Sequence, residues 1–142
     1  MLKSALIVDD DPGILALISE IISQHGFLSA GVSRGEDALD YGRELHEMDV
    51  VFTDLRMPGM DGFELTATLR KRGISCPIIA ITGLPDKGQS LYHSNDGKAR
   101  ERPDMILPKP FGLGQMEQVL AYLNHIESPV AKQAAMQLDL GF

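Results

Sequence analysis

The feature that most constrains this chain is an alternation: short apolar runs rich in β-formers are separated by longer segments whose apolar residues recur every three or four positions. Such an alternation describes βα units, in which helices bury both faces of a parallel sheet. Ala5 to Val8, Val50 to Thr53, Ile78 to Ile81 and Met105 to Leu107 read as strands. Phe27 to Val32, with Gly26 before it and Gly31 near its end, reads as a weaker strand at or near a sheet edge. Five strands follow, and 142 residues with 44% hydrophobic content supply one core for them. The expectation is one α/β domain with a doubly wound, five-stranded parallel sheet.

The intervening segments carry helix signals. Ile14, Leu15, Leu17, Ile18, Ile21 and Ile22 predict one broad apolar face on a first helix, which Asp11 caps and Pro12 opens. Ser33 with Glu36, and Asp61 with Glu64, stand at capping-box spacing and predict the starts of the second and third helices; Gly73 ends the third. A last helix from Leu113 to Ile126 places Leu113, Met116, Val119, Leu120, Leu123 and Ile126 on one side. Between Gly83 and Pro103 the presence of Pro85, Gly88 and Gly97 with few apolar anchors predicts a short or irregular fourth helix. Ser128 and Pro129 mark a further start, and Val130, Ala134, Leu138 and Leu140 suit a small amphipathic tail. The expected division is therefore a domain over residues 1–127 and a tail over 128–142, the latter read as a dimerisation helix, a self-docking element or the stub of a linker to a further domain.

Charge and cysteine usage exclude several functions. Twenty acidic against 13 basic residues give a formal charge of -7, which repels phosphate backbones, so no direct nucleic-acid binding is expected. The apolar start Ala5 to Val8 is too short for a signal peptide and runs into Asp9, Asp10 and Asp11, and no run has the length of a membrane span. Cys76, the single cysteine, has no internal disulfide partner and no metal-ligand spacing around it. A cytoplasmic protein without a membrane partner is the expectation.

In an open parallel sheet ligands bind beyond the carboxyl ends of the strands. There the first strand ends in Asp9 and Asp10, the third in Asp54, the fourth in Thr82 and Gly83, and the fifth leads to Lys109 and Pro110. Each has an ordinary reading by itself: a helix-capping acidic turn, a loop acid, a strand-end hydroxyl, a surface lysine. Their joint placement on four strand ends is what points to a site. Three close carboxylates call for a cation, and oxygen ligands with positions left for water and phosphate suit Mg²⁺. The Asp54 carboxylate then suits nucleophilic attack on a phosphoryl donor to form an acyl phosphate, with Lys109 neutralising phosphoryl oxygens and the Thr82 hydroxyl hydrogen-bonding one of them.

With these residues the sequence resembles the response-regulator receiver family of two-component signalling. The matching stretches are Leu6 to Pro12 (LIVDDDP), Val51 to Gly62 (VFTDLRMPGMDG), Ile81 to Gly83 (ITG) and Leu107 to Phe111 (LPKPF), within a resemblance that covers about residues 3 to 126. It implies a flavodoxin-like receiver fold with strand order 2-1-3-4-5. It implies Asp54 as the phosphoacceptor, Asp9, Asp10 and Asp54 as Mg²⁺ ligands with the backbone carbonyl of Arg56, Thr82 as the switch hydroxyl and Lys109 as the phosphate-contacting lysine. Three departures stand out. The family's switch aromatic is replaced by Ile106, the interval from Thr82 to Lys109 is several residues longer than usual, and Gly112 stands where a Ser, Thr or Asp cap is commoner.

The function implied is a phosphorelay receiver, modified on Asp54 to 4-aspartylphosphate by a histidine kinase or a histidine phosphotransfer protein, which then switches binding to a downstream protein. It is a signalling switch and not an enzyme, beyond catalysing its own phosphorylation and dephosphorylation. The alternative is a pseudo-receiver that docks partners independently of phosphate. A Mg²⁺-dependent phosphatase with an aspartyl intermediate would carry a second acid two residues after the nucleophile, where this chain has Arg56.

Overall fold

A computed structural model describes residues 2–83 and 102–125. The expected fourth helix, within residues 84–101, and the expected tail, 128–142, lie outside the described residues, as does Ile126. By compactness the chain divides into two units, residues 1–109 and 110–142.

The first unit is built on five parallel strands: β1 (Lys3–Val8), β2 (Phe27–Val32), β3 (Val50–Asp54), β4 (Ile78–Thr82) and β5 (Met105–Pro108). Their order is β2-β1-β3-β4-β5, as the resemblance implied. The sheet extends slightly beyond the apolar runs, because backbone pairing carries it on to Asp54, Thr82 and Pro108. Every residue of β3 and β4 is buried, whereas β2 is mostly accessible and lies at the edge expected of it. Central strands of a parallel sheet lose water on both faces, and an edge strand does not.

Four α-helices are described: α1 (Pro12–Ser23), α2 (Gly35–Leu39), α3 (Gly62–Lys71) and α4 (Leu113–His125), with a 3₁₀ turn at Gly42–Glu47. Asp11 caps α1 as expected, its side chain accepting from the Gly13 amide at 2.8 Å ahead of Pro12 at the first helical position. The broad face expected on α1 is narrower: Ile18 and Ile22 are fully buried, Ile14, Leu15 and Ile21 partly, and Leu17 is 45% exposed. At about 100° per residue Leu17 lies roughly 100° from Ile18, beyond the stripe that one sheet contact can cover.

The expected capping box of α2 does not form. The helix starts at Gly35 with Arg34 in the cap position and no side-chain cap, so Ser33 and Glu36 do not straddle its first turn. Glu36 is engaged elsewhere, as described below. Asp61 does cap α3, accepting from the Glu64 amide at 2.8 Å. Gly73 ends it in the left-handed region at φ 82, where its amide meets the Arg70 carbonyl and that of Ile74 meets the Leu69 carbonyl, the paired bonds of a Schellman stop. One core cluster joins Leu6, Val8, Val51 and Ile78 of the sheet to Ala38 of α2, Leu45 of the 3₁₀ turn, and Leu65, Leu69 and Ile74 in and after α3. A smaller one joins Leu55, Phe63 and Ala80, with Ile106 against it.

In the second unit, α4 buries Met116, Val119, Leu120 and Leu123, but Leu113, counted in the expected stripe, is 58% exposed at the first position of the helix. The Gln115 carboxamide accepts from the Gly112 amide at 2.8 Å, satisfying an orphan donor of the helix start that Gly112 itself cannot cap. Among the described residues no helix is long and apolar enough to cross a membrane.

Candidate functional site

Strand register gathers the candidate residues before any side chain is considered. Val8 pairs with Thr53, Asp54 with Ile81, and Thr82 with Pro108, so Asp9, Asp54, Thr82 and Lys109 arrive at the same end of adjacent strands. The apolar residues that drive each strand into the core therefore deliver its last polar residue to the rim.

At that rim Asp9, Asp10 and Asp54 each offer a carboxylate oxygen, and these oxygens lie within 4.8 Å of one another. Asp9 is 1% and Asp54 8% exposed, while Asp10 faces solvent. The Lys109 ammonium reaches between the two buried acids, 3.0 Å from Asp9 Oδ2 and 3.4 Å from Asp54 Oδ2. The other Asp9 oxygen accepts from the Asp11 amide at 2.9 Å and the other Asp54 oxygen from the Arg56 amide at 3.3 Å. Lys109 is held by its own backbone, whose amide donates to the Thr82 carbonyl at 2.7 Å. Thr82 is 2% exposed at the end of β4, and Gly83 beyond it is exposed, with Lys109 Cβ, at 4.0 Å, the nearest atom among the described residues to a Cβ built there.

The electrostatics follow from this arrangement. Burial pushes the Asp54 carboxyl above its ordinary value; Lys109 and the Arg56 amide pull it down, and Asp9 adds to the rise. Burial works against the Lys109 ammonium, but the hydrogen bond to Asp9 and the charges of Asp54 and Asp9 more than offset it, so the lysine holds its proton above its ordinary value. Three carboxylates against one ammonium leave a formal charge of -3 + 1 = -2 at a rim open to solvent through Asp10. Oxygen donors, excess negative charge and an accessible side fit a hard divalent cation with water in its remaining positions, which is the coordination Mg²⁺ prefers.

Two residues shape the site in roles that the sequence reading did not give them. Gly62 lies so close under β3 that a Cβ on it would sit 2.3 Å from the Asp54 carbonyl oxygen and 2.8 Å from Leu55 Cα. Its amide donates to the Leu55 carbonyl at 3.0 Å, closing the loop from Leu55 to Asp61. Its place in the Met-Asp-Gly run after Asp54 was the available signal. Glu36, read as half of a capping box, instead accepts from the Met60 amide of that loop at 2.8 Å. No local pattern marks a contact 24 residues away. Ile106 pairs with Ala80 and packs with Leu55 and Phe63, an aliphatic filling on the α3 side of the sheet.

Comparison with known families matches residues 5–121 to the response regulator receiver domain. The chain is 38% identical over 98 residues to the heme response regulator HssR of Staphylococcus saprophyticus, covering 67% of this chain and 43% of HssR. It is 32% identical over 117 residues to the sensor histidine kinase RcsC of Escherichia coli, covering 81% of this chain and 12% of RcsC. The chain thus spans less than half the length of either relative. Among solved structures it resembles the response regulator TrrA of Thermotoga maritima, in complex with Mg²⁺ and BeF, with a TM-score of 0.67 and 28% identity over 86% of this chain and 99% of that one.

Proposed function

This chain belongs to the response regulator receiver domain family of two-component systems, and from that membership we propose that its Asp54 takes a phosphoryl group from a histidine kinase or a histidine phosphotransfer protein. The observation that carries the reading is the meeting of Asp9, Asp10 and Asp54 oxygens within 4.8 Å, with Lys109 bridging Asp9 and Asp54. Asp9, Asp10, Asp54 and the backbone carbonyl of Arg56 would hold Mg²⁺, which when bound supplies positive charge to the phosphoryl oxygens.

The protein's own groups then have distinct tasks. An ionised Asp54 oxygen forms a bond to phosphorus as the bond from phosphorus to the donor nitrogen breaks, and the donor imidazole leaves with the electron pair. Lys109, already between Asp9 and Asp54, moves its charge to the phosphoryl oxygens as they arrive. Thr82, at the end of β4, offers its hydroxyl to another of them, beside the exposed Gly83. Phosphate on Asp54 would draw Lys109 from Asp9 and so change the contacts between the ends of β1 and β5. That rearrangement is the switch that a downstream protein reads, in the cytoplasm where kinase domains act. In this reading the receiver comprises residues 1–127 and the tail 128–142, a division that the family match to residue 121 supports.

Incubation with Mg²⁺ and acetyl phosphate tests this directly. Mass spectrometry should show one phosphoryl group on the peptide containing Asp54, lost with EDTA or in Asp54→Asn. A full mass gain in Asp54→Asn moves the acceptor elsewhere. No gain in the wild type favours the phosphate-independent docking module.

A further inference from the structure

The loop from Leu55 to Asp61 carries Arg56, whose carbonyl is proposed as a cation ligand; Arg56 is exposed, and its amide donates to Asp54 Oδ1 at 3.3 Å. Pro58 contributes no amide, and Gly59 stands in the left-handed region at φ 76, which glycine adopts without steric cost. Met57 is buried in the core and the Gly62 amide closes the loop on the Leu55 carbonyl at 3.0 Å, but the stretch Pro58 to Met60 between them is tethered from outside, by Glu36. One carboxylate oxygen accepts from the Met60 amide at 2.8 Å, and the other accepts from Arg34 Nε at 3.0 Å and from its Nη2 at 2.5 Å. Arg34 thus fixes the carboxylate while the free oxygen fixes the loop.

The fit is tight on both sides. A Cβ on Gly59 would come within 3.2 Å of both Glu36 oxygens, and a Cβ on Gly35 within 3.1 Å of the Met60 side chain. The start of α2 and the far half of the loop therefore interlock at two glycines. Both hydrogen-bonded partners hold the Glu36 carboxyl below its ordinary value, Arg34 first and the Met60 amide second.

We propose that Glu36 is a positioning residue for the cation site, holding the loop through the Met60 amide so that the Arg56 carbonyl is presented to Mg²⁺. The inference rests on the receiver reading above. It differs from a charge effect, because what matters is an acceptor oxygen at Met60 and not a negative charge near the site. Partners hydrogen-bonded to a metal ligand change metal affinity by about 10- to 100-fold when lost; Glu36 acts four residues along the loop from Arg56, so the lower end of that range is expected.

The test is calorimetric titration of the full chain with magnesium chloride, together with amide hydrogen exchange of the metal-free protein. Glu36→Ala should weaken Mg²⁺ binding about tenfold and speed exchange at the Met60 amide, in keeping with that range. Glu36→Gln, which keeps an acceptor for the Met60 amide but loses the charge and the oxygen that Arg34 holds, should recover part of the affinity and keep the Met60 amide protected from exchange. Unchanged Mg²⁺ affinity in Glu36→Ala, beside a wild type that binds, overturns the assignment of Glu36 and leaves the receiver reading intact. Glu36→Gln as weak as Glu36→Ala, with its Met60 amide still protected from exchange, replaces positioning by charge and also overturns it. A wild type that shows no Mg²⁺ binding instead overturns the receiver reading on which the inference stands.

Discussion

Asp54 gives up its proton less readily than a free aspartate. Burial raises its pKa above the ordinary 3.8, and the pull of Lys109 does not fully cancel that rise. A folded pKa above the unfolded one means that the native state binds the proton more tightly. The associated stability is complete below 3.8 and is lost as pH climbs through the raised value. Above that value the ionised carboxylate therefore destabilises the metal-free fold. Asp54→Asn, neutral and of the same shape, should raise the melting temperature of the metal-free protein at neutral pH, with the advantage shrinking towards zero in acid. Thermal melts of both proteins across that range, in EDTA, check the sign, and equal melting temperatures at neutral pH would contradict it. Readiness for chemistry and a local stability cost are here the same property of one residue.

Among the elements, α3 is the one most closely fitted to the site, because its first residue lies against the last residue of β3. With 2.3 Å between the Asp54 carbonyl and a Cβ at position 62, Gly62→Ala must displace either the strand end or the helix. Overpacking costs roughly 1–3 kcal/mol in a core that can yield, and backbone yields less than a flexible side chain, so about 3 kcal/mol is expected. Urea denaturation of the variant measures it. Thr66 adds to the hold, its hydroxyl donating to the Gly62 carbonyl at 2.7 Å. Element starts were legible in the sequence where the signal is local: Asp11 with Pro12, Asp61 with Glu64 and Gly73 each depend on neighbours within a few residues. Ser33 with Glu36 has the same local pattern, but Arg34 and the distant Met60 amide compete for the carboxylate and win. Leu17 and Leu113 show the other limit, since periodicity lists apolar residues without saying how wide a contact the sheet offers.

Across the molecule, Lys109 matters because of the distances in sequence that it closes: 100 residues to Asp9 and 55 to Asp54. It reaches from the end of β5 past β4 and β3 to the end of β1. Its removal leaves two buried acids facing each other without their ammonium. Losing one partner of a buried ion pair costs about 3–5 kcal/mol, and the partial exposure of this lysine places the loss at the lower end. Lys109→Ala should therefore show a large drop in stability in EDTA, and Mg²⁺ should restore most of it by supplying the missing charge. Denaturation with and without Mg²⁺ reads both effects; a variant as stable as the wild type in EDTA would show that the pair contributes nothing. A second tie works at the other end of the sheet. Arg70 of α3 donates to the carbonyls of Ile74 and Cys76 and to Asp104, and Asp104 accepts from the Ile78 amide, joining the starts of β4 and β5.

The amino-acid sequence by itself determined the βα alternation, the edge position of β2 and the set of polar residues at the strand ends, because hydropathy and cap chemistry act over a few residues and repeat with the period of each element. Through those strand ends it also determined which carboxylates, hydroxyl and ammonium share one rim. Only the tertiary structure decided that Lys109 lies between Asp9 and Asp54, that Gly62 has no room for a side chain, and that Glu36 holds the loop instead of capping α2. Those outcomes depend on which groups from distant segments compete for the same few ångströms, and nothing in a local pattern encodes that competition.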